Sequence, residues 1–247
     1  MRQTRLIMGM PITIEVVDEA AADAMANCFA WFDEVDARFS TYRPDSEISR
    51  LNAGILGEED CSTDVRDVIA LAHATARESD GFFNMARPGG GIDPSGIVKG
   101  WAIKKAAALL LRAGHENFFV DAGGDIQSRG RNPDGEEWRV GIRSPFVLSE
   151  VIKIVAPRGL GIATSGSYVR GAHIYNPHAP SQALDEVMSL TVIGPDVLEA
   201  DRFATAAFAM GSDGIYFIES LDGFEGYAVN ALGIATQTSH FRDYVVS

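Results

Sequence analysis

The sequence predicts an α+β fold with much antiparallel strand pairing. The second half is rich in short apolar or alternating runs separated by tight turns, as in paired strands. Helical segments are interspersed among these runs and do not alternate strictly with them, which favours α+β over a parallel sheet. No linker rich in proline or serine divides the 247 residues. We therefore expect a single domain over residues 1–247.

The first half of the chain is predicted to be mainly helical. Residues 5–17 alternate as one strand. Asp18 is expected to cap a long amphipathic helix, because apolar residues recur at helical spacing as far as Phe39. Two further helices are expected at 63–79 and 95–114, with Ser95 as a candidate cap for the second.

The second half is predicted to hold most of the strands. Asp196 and Glu199 form a capping-box pattern ahead of a helix that ends near Gly211. A short helix is expected at 213–221. The predicted strands are 117–121, 126–130, 138–143, 151–156, 160–164, 171–175, 187–193, 225–230 and 233–239.

Composition excludes several classes of function. The formal net charge is -13, from 34 acidic and 21 basic residues, so we expect no nucleic-acid partner. Arg2 and Arg5 precede an apolar stretch, but Pro11 and Glu15 interrupt it, which argues against a signal peptide. No apolar run has the length of a membrane span. A cytoplasmic protein without membrane insertion is therefore expected.

Two glycine turns are the most informative local feature. DPSGIVKG opens a helix, and VDAGGD ends a strand. Such turns bring backbone N–H groups close to a phosphate, although the sequence holds no dinucleotide fingerprint and no phosphate loop. Lys99 could reach a phosphate or extend to solvent. Asp121 and Asp125 could bind ribose or base donors, or simply form the turn.

Asp201 and Thr205 lie four residues apart and so share one face of the predicted helix. A carboxylate and a hydroxyl are hard oxygen ligands, and Mg²⁺ takes one or two such protein ligands with water and phosphate completing its shell. The alternative is an ordinary polar pair on a solvated face.

The segment GIATSGSYVRGAHIYNP carries a second group of polar residues. Thr164, Ser165 and Gly166 stand where a strand meets a turn that could bind an anion. His173 could carry a proton or contact a phosphate. The sequence has no G-x-S-x-G motif of a serine hydrolase, and a structural serine with a satisfied histidine is the alternative.

In FSTYRPDSEISRLN, the ring of Tyr42 could stack on a ligand. The alternative is a capped loop.

Together and in this order, the motifs resemble the ApbE-like FAD:protein FMN transferases. The matching blocks lie between about Met8 and Gly211 and read MGMPITIEV, FSTYRPDSEISRLN, DPSGIVKGWAIKKA, VDAGGDIQSRG, WRVGIRSP, GIATSGSYVRGAHIYNP and EADRFATAAFAMG.

The resemblance implies a T-fold-like α+β architecture with FAD in a cleft between two halves and Mg²⁺ at its pyrophosphate. Asp201, Thr205 and the carbonyl of Gly96 would hold the metal, and His173 and Asp201 would be catalytic. The residues expected to bind FAD are Met10, Ser40, Thr41, Tyr42, Asp93, Lys99, Asp121, Gly123, Gly124, Asp125, Thr164, Ser165, Gly166 and His173.

The implied reaction is transfer of FMN from FAD to a Thr or Ser hydroxyl of a target protein, with release of AMP. His173 or a carboxylate near the metal would accept the hydroxyl proton. The target would carry a sequence like D-G-x-x-(S/T)-G-A-(S/T), which this chain does not contain, and the enzyme would be a monomer or dimer. The alternatives are a Mg²⁺-dependent FAD pyrophosphatase and a non-catalytic FAD-binding or storage protein.

The chain departs from the family pattern at three places, and we expect these to alter the pocket rim and target docking more than FAD binding. The departures are Asn84 in FNM, Asn176 in HIYNP, and the His178-Ala179-Pro180 stretch that follows.

Overall fold

The structure is a computed structural model, and it describes residues 1–87, 89–147, 149–166 and 174–246. An antiparallel sheet of eight strands runs through the described residues in the order β1-β2-β3-β4-β7-β8-β9-β10, and β5 and β6 form a separate two-stranded ribbon. The predicted α+β class is confirmed. The division into domains stays a prediction.

The strands have the following bounds: β1 Arg2–Ile7, β2 Met10–Val16, β3 Phe118–Ala122, β4 Asp125–Arg129, β5 Val140–Arg143, β6 Val151–Val155, β7 Gly161–Gly166, β8 Val187–Gly194, β9 Glu225–Asn230 and β10 Ala235–Gln237. The helices are α1 Ala22–Phe39, α2 Glu47–Asn52, α3 Thr63–Glu78, α4 Ser95–Arg112, α5 Val197–Ala209 and α6 Gly214–Glu219. None of the described helices is long and apolar enough to cross a membrane.

The N-terminal segment is a hairpin, so the prediction of one strand over 5–17 was wrong. Met8 and Gly9 both adopt positive φ, at 55° and 72°, and β1 pairs with β2 across this turn. Alternation of polar and apolar residues continues on both sides of the turn, which hides the break from a periodicity argument.

Asp18 does not cap α1. The helix begins at Ala22, and no side chain bonds its first turn. The Asp18 carboxylate instead accepts the backbone N–H groups of Glu116 and Asn117 at 2.8 and 3.0 Å. It thereby fixes the entry to β3, about a hundred residues away along the chain.

The predicted starts of α4 and α5 agree better with the structure. Asp196 caps α5 by accepting from the N–H groups of Leu198 and Glu199. α4 begins at the expected place, but Asp93, not Ser95, supplies the side-chain oxygen, which accepts from the Ser95 N–H at 3.0 Å. Of the predicted strand 171–175, residues 171–173 lie outside the described residues, and 174 and 175 are not in a strand.

The helices cover one face of the large sheet. α4 packs between α1 and α5, and a buried core joins α1, α3 and α4 to β2 and β3. α4 and α5 approach closely at Gly100, because a Cβ there would lie 2.8 Å from both the Asp201 Cβ and the Val197 carbonyl oxygen. This crossing sets the α5 side chains against the first turns of α4.

The ribbon of β5 and β6 covers the opposite face. Val140, Ile142 and Val155 pack on Ile162, Ile193 and other side chains of β7, β8 and β9. Alternate residues of the same strands, such as Ala163 and Val192, face the helices. The sheet is thus buried on both faces at β7 and β8, and a pocket opens where the ribbon, the sheet and the α4–α5 pair meet.

Candidate active site

A single large pocket of about 890 Å³ gathers most of the residues singled out in the sequence. Its volume falls within the range of roughly 300–1,000 Å³ that small-molecule sites occupy. The predicted site residues that line it are Met10, Asp93, Gly96, Lys99, Asp121, Gly123, Gly124, Thr164, Ser165, Gly166, Asp201 and Thr205.

Three oxygen donors converge where α4 and α5 cross. The Thr205 hydroxyl donates to the Gly96 carbonyl oxygen at 3.4 Å. Asp201, one helical turn before Thr205, lines the same pocket. A Cβ on Gly96 would lie 3.0 Å from the Thr205 methyl group, so the absence of a side chain at this position keeps the carbonyl accessible.

Asp201 is only 3% exposed. Its Oδ2 atom accepts the backbone N–H of Gly100 at 2.8 Å. In a regular helix that N–H bonds only to the carbonyl of residue 96. Burial raises the pKa of Asp201, the nearby Lys99 ammonium lowers it, and the Asp125 carboxylate raises it further.

Lys99 supplies the local positive charge. Its Nζ atom lies 2.6 Å from Asp125 Oδ2 and 3.7 Å from Asp201 Oδ1. Asp125 is almost fully buried behind the pocket wall, and its other oxygen accepts the N–H of Thr164 at 3.0 Å. Asp125 therefore holds Lys99 against the pocket and ties α4 to the edge of β7.

The donor set fits Mg²⁺. Among the described residues, no group of at least three His, Cys, Asp or Glu side chains could hold a metal ion. A carboxylate, a hydroxyl and a carbonyl oxygen are the hard ligands that Mg²⁺ accepts, and it usually leaves the rest of its shell to water and substrate phosphate. Asp201, Thr205 and Gly96 are thus the candidate ligands.

The second glycine turn forms the adjacent wall. Gly123 and Gly124 have φ of 63° and 102°, and the Gly124 N–H donates to Asp121 Oδ1 at 2.8 Å. A Cβ on Gly123 would lie 3.1 Å from the sulfur of Met10, which explains the close approach of the two loops. Burial raises the pKa of Asp121, and the hydrogen bond from the Gly124 N–H partly offsets this rise.

The end of β7 forms another wall of the pocket. The Thr164 hydroxyl bonds to that of Thr191 on β8 at 2.8 Å, which fixes its orientation. Ser165 and Gly166 follow at the pocket rim. His173 lies outside the described residues, so its position stays a prediction.

Ser40, Thr41 and Tyr42 do not belong to the pocket lining. The Ser40 carbonyl accepts the Ser46 and Ser49 hydroxyls, and Tyr42 is 96% exposed. Their contact with FAD stays a prediction.

Sequence reasoning missed several residues of the pocket. Arg87 and Arg143 add two basic residues to its lining, and Phe82 and Phe83 add aromatic surface. Arg143 lowers the pKa of Asp121, although burial of that carboxyl has the larger effect. Arg143 is the second arginine of WRVGIRSP. Only the packing of the ribbon on the sheet brings it to the pocket, and the sequence alone does not indicate that packing.

The departures from the family pattern form one contact region beside the pocket. His178 Nε2 lies 2.9 Å from the Asp80 carbonyl oxygen, and its ring meets Phe82 edge-on at 4.6 Å. The Tyr175 hydroxyl donates to the Ala86 carbonyl at 2.7 Å. This segment therefore packs on the loop that follows α3 and closes one side of the pocket.

Comparison with known proteins gives a consistent result. The sequence model described as the ApbE family matches residues 8–89 and 85–228. The FAD:protein FMN transferase of Vibrio cholerae is 29% identical over 79% of this chain and 79% of that protein. The enzyme of the same name from Escherichia coli K12 is 30% identical over 63% of this chain, and the match spans about half of that protein, 48%.

Solved structures agree with the fold. The flavin transferase ApbE from Vibrio cholerae superposes with a TM-score of 0.86 at 24% identity, covering 99% of this chain and 98% of that one. The apo form of the Pseudomonas stutzeri flavinyl transferase ApbE gives 0.85 at 23% identity, with 100% and 97% covered. The family match over most of the chain and the shared fold agree with the order of the sequence motifs, and the chain therefore belongs to the ApbE family.

Proposed function

We propose that this protein is a FAD:protein FMN transferase, which moves FMN from FAD to a Thr or Ser hydroxyl of another protein. Its named relatives are transferases of this kind. The observation that carries the proposal is the convergence of Asp201, Thr205 Oγ1 and the Gly96 carbonyl in a pocket large enough for a dinucleotide.

The chain's own groups suit a pyrophosphate. Bound Mg²⁺ would neutralise charge on the pyrophosphate and on the leaving phosphate. Asp201, Thr205 and Gly96 would hold the metal. The glycine turn at residues 123 and 124 would lie against the pyrophosphate, but its two N–H groups already donate to the Pro11 carbonyl and to Asp121. Lys99, fixed by Asp125, adds a positive charge beside the same group.

The transfer balances as a substitution at phosphorus. The hydroxyl oxygen of the acceptor bonds to the FMN-side phosphorus, the bond to the bridging oxygen breaks, and AMP leaves. The hydroxyl proton passes to a base. We propose His173 as that base, since Asp125 is almost fully buried behind the pocket wall and Asp201 would be bound to the metal.

The test uses the purified protein with FAD, Mg²⁺ and an acceptor domain carrying D-G-x-x-(S/T)-G-A-(S/T). We expect flavin fluorescence that survives denaturation of the acceptor, and one AMP released per flavin attached. Asp201→Asn should lower the rate more than about 100-fold, because even outer partners of metal ligands cost roughly 10–100-fold. It should also abolish the rise in melting temperature that Mg²⁺ produces.

Asp213→Asn is the matched control, since Asp213 is exposed and its side chain caps nothing; it should behave as the wild type. AMP release without labelled acceptor would identify a pyrophosphatase instead. Tight FAD binding without AMP would identify a storage protein. A cytoplasmic location, the acceptor motif and a monomeric or dimeric state stay predictions.

A further inference from the structure

An exposed apolar surface lies next to the pocket, on two loops that touch each other. The loop between β5 and β6 contributes Phe146 and Val147, and the first residue of β6 contributes Val151. The turn between β9 and β10 contributes Leu232 and Ile234. Each of these five residues is more than half exposed, and Leu232 reaches 83%. We refer to the five residues as the apolar rim.

The two loops are in direct contact. A Cβ on Gly233, at the tip of the β9–β10 turn, would lie 3.7 Å from the Phe146 ring. The turn is held by its own bonds, because Asn230 Oδ1 accepts the N–H groups of Leu232 and Ile234 at 3.0 and 2.9 Å. These two bonds fix the backbone that carries Leu232 and Ile234.

The apolar rim lies close to the residues that line the pocket. β5 lines the pocket from Val140 to Arg143, and Phe146 follows only three residues later, within about 10 Å of chain. Val151 pairs with Arg143 across the ribbon, and residues opposite each other in a ribbon share a face. A molecule that covers the apolar rim therefore also faces the pocket.

The proposed reaction needs a surface of this kind. FAD is small enough for the pocket, but the second substrate is a folded protein whose hydroxyl must reach the bound pyrophosphate. Soluble proteins rarely leave several large apolar side chains exposed side by side, and such patches commonly mark interaction sites. A few residues that become buried at the centre of an interface also carry much of its binding free energy.

We propose that the apolar rim docks the flavin-accepting protein, through an apolar surface beside the Thr or Ser that receives FMN. This inference rests on the proposed transferase function. The acceptor would contact Phe146 and Leu232 while its hydroxyl enters the pocket past Arg143.

The experiment compares the wild type with Phe146→Ser/Leu232→Ser, two changes at exposed positions. The probe is an acceptor domain carrying D-G-x-x-(S/T)-G-A-(S/T), titrated at saturating FAD and Mg²⁺. We expect the KM for the acceptor to rise at least about tenfold, equivalent to about 1.4 kcal/mol. The Kd for FAD, measured without acceptor, should stay within about twofold of the wild type, since the apolar rim does not line the pocket.

Leu111→Ser is the matched control. Leu111 is also an exposed leucine, but it lies near the far end of α4, roughly 22 Å along the helix from Gly96. It should leave the KM for the acceptor unchanged.

Each result has a separate meaning. Failure of the wild type to label the domain overturns the proposed function, and the docking inference with it. Labelling with an unchanged KM in the double variant overturns the docking inference alone. Loss of a dimer in sedimentation with an unchanged KM shows that a second copy of this chain covers the apolar rim, which also overturns it.

Discussion

The Lys99 ammonium lies 2.6 Å from a carboxylate oxygen of Asp125, and the two side chains are 15% and 1% exposed. This nearly buried ion pair joins the first turns of α4 to the start of β4. Asp125 also accepts the Thr164 N–H, so it links three parts of the pocket. We therefore expect the pair to contribute to the free energy of unfolding as well as to FAD binding.

Replacing Lys99 by Met should destabilise the metal-free protein by about 3 kcal/mol, because it leaves the Asp125 charge buried without its partner. The double change Lys99→Met/Asp125→Asn should cost less than Lys99→Met alone, since the amide oxygen still accepts from Thr164 and no charge remains. Urea unfolding of these two variants and of Asp125→Asn gives the comparison. Simple addition of the two single effects would contradict a coupled pair.

Gly100 gives a prediction in which two effects have opposite signs. Helix propensity alone would make Gly100→Ala stabilising by roughly 0.5–1 kcal/mol. A Cβ at this position, however, would lie 2.8 Å from Asp201 Cβ and from the Val197 carbonyl oxygen. We therefore expect a loss of about 1–3 kcal/mol from overpacking.

The same change should weaken the effect of Mg²⁺, because α5 carries Asp201 and must move away from α4. Thermal unfolding with and without Mg²⁺ measures both consequences. A more stable Gly100→Ala protein with an unchanged response to Mg²⁺ would show that the helices do not need this close approach.

Asp18 predicts a pH dependence. Partial burial acts to raise the pKa of Asp18, but hydrogen bonds from Asn117 and Glu116 outweigh it and lower the pKa below its usual value. A carboxyl with a lower pKa in the folded state stabilises the protein above its unfolded pKa, and this stabilisation is lost as the pH falls through the folded pKa.

Asp18→Ala should therefore cost about 2 kcal/mol at pH 7, the scale of hydrogen bonds to a charged group. The difference from the wild type should shrink below about pH 4, where the carboxyl takes up a proton. Denaturant unfolding at several pH values measures it. A difference that stays constant down to the acid transition would show that the charge of Asp18 is unimportant.

Cys28 predicts a chemical property. Burial raises the pKa of its thiol to about 12 from 9.0, and the thiolate is the reactive form. In a Cys61→Ser variant, Cys28 should react with a thiol reagent at pH 8 only as fast as the protein unfolds. Because the folded pKa is raised, its contribution to stability is lost as the pH rises from about 9 towards 12. Rapid labelling in the native state would contradict this burial.

The sequence allowed local parts of the site to be predicted, because local spacing determines them. Asp201 and Thr205 share a helix face whatever the rest of the fold does, and glycine pairs such as Gly123-Gly124 predict turns by their backbone freedom alone. The caps of α5 follow from the same local rules.

Long-range partners could not be predicted in this way. Gly100 and Asp201 stand 101 residues apart, and nothing near either residue indicates the other. Asp18 has the composition of a helix cap, yet tertiary structure gives it the N–H groups at the entry to β3. Arg143 reaches the pocket only because the β5–β6 ribbon lies across the sheet.

The crossing of α4 and α5 has a consequence for how the protein is made. Along the sequence, α4 precedes the long strand-rich segment and α5 follows it. A ribosome must therefore synthesise the chain past Thr205 before the proposed metal ligands can meet. A nascent chain that has emerged only as far as the second glycine turn has Lys99 and Asp125, but no Asp201. Such a chain would not withdraw free FAD from the cell, and flavin would be committed only to chains that have been synthesised past Thr205.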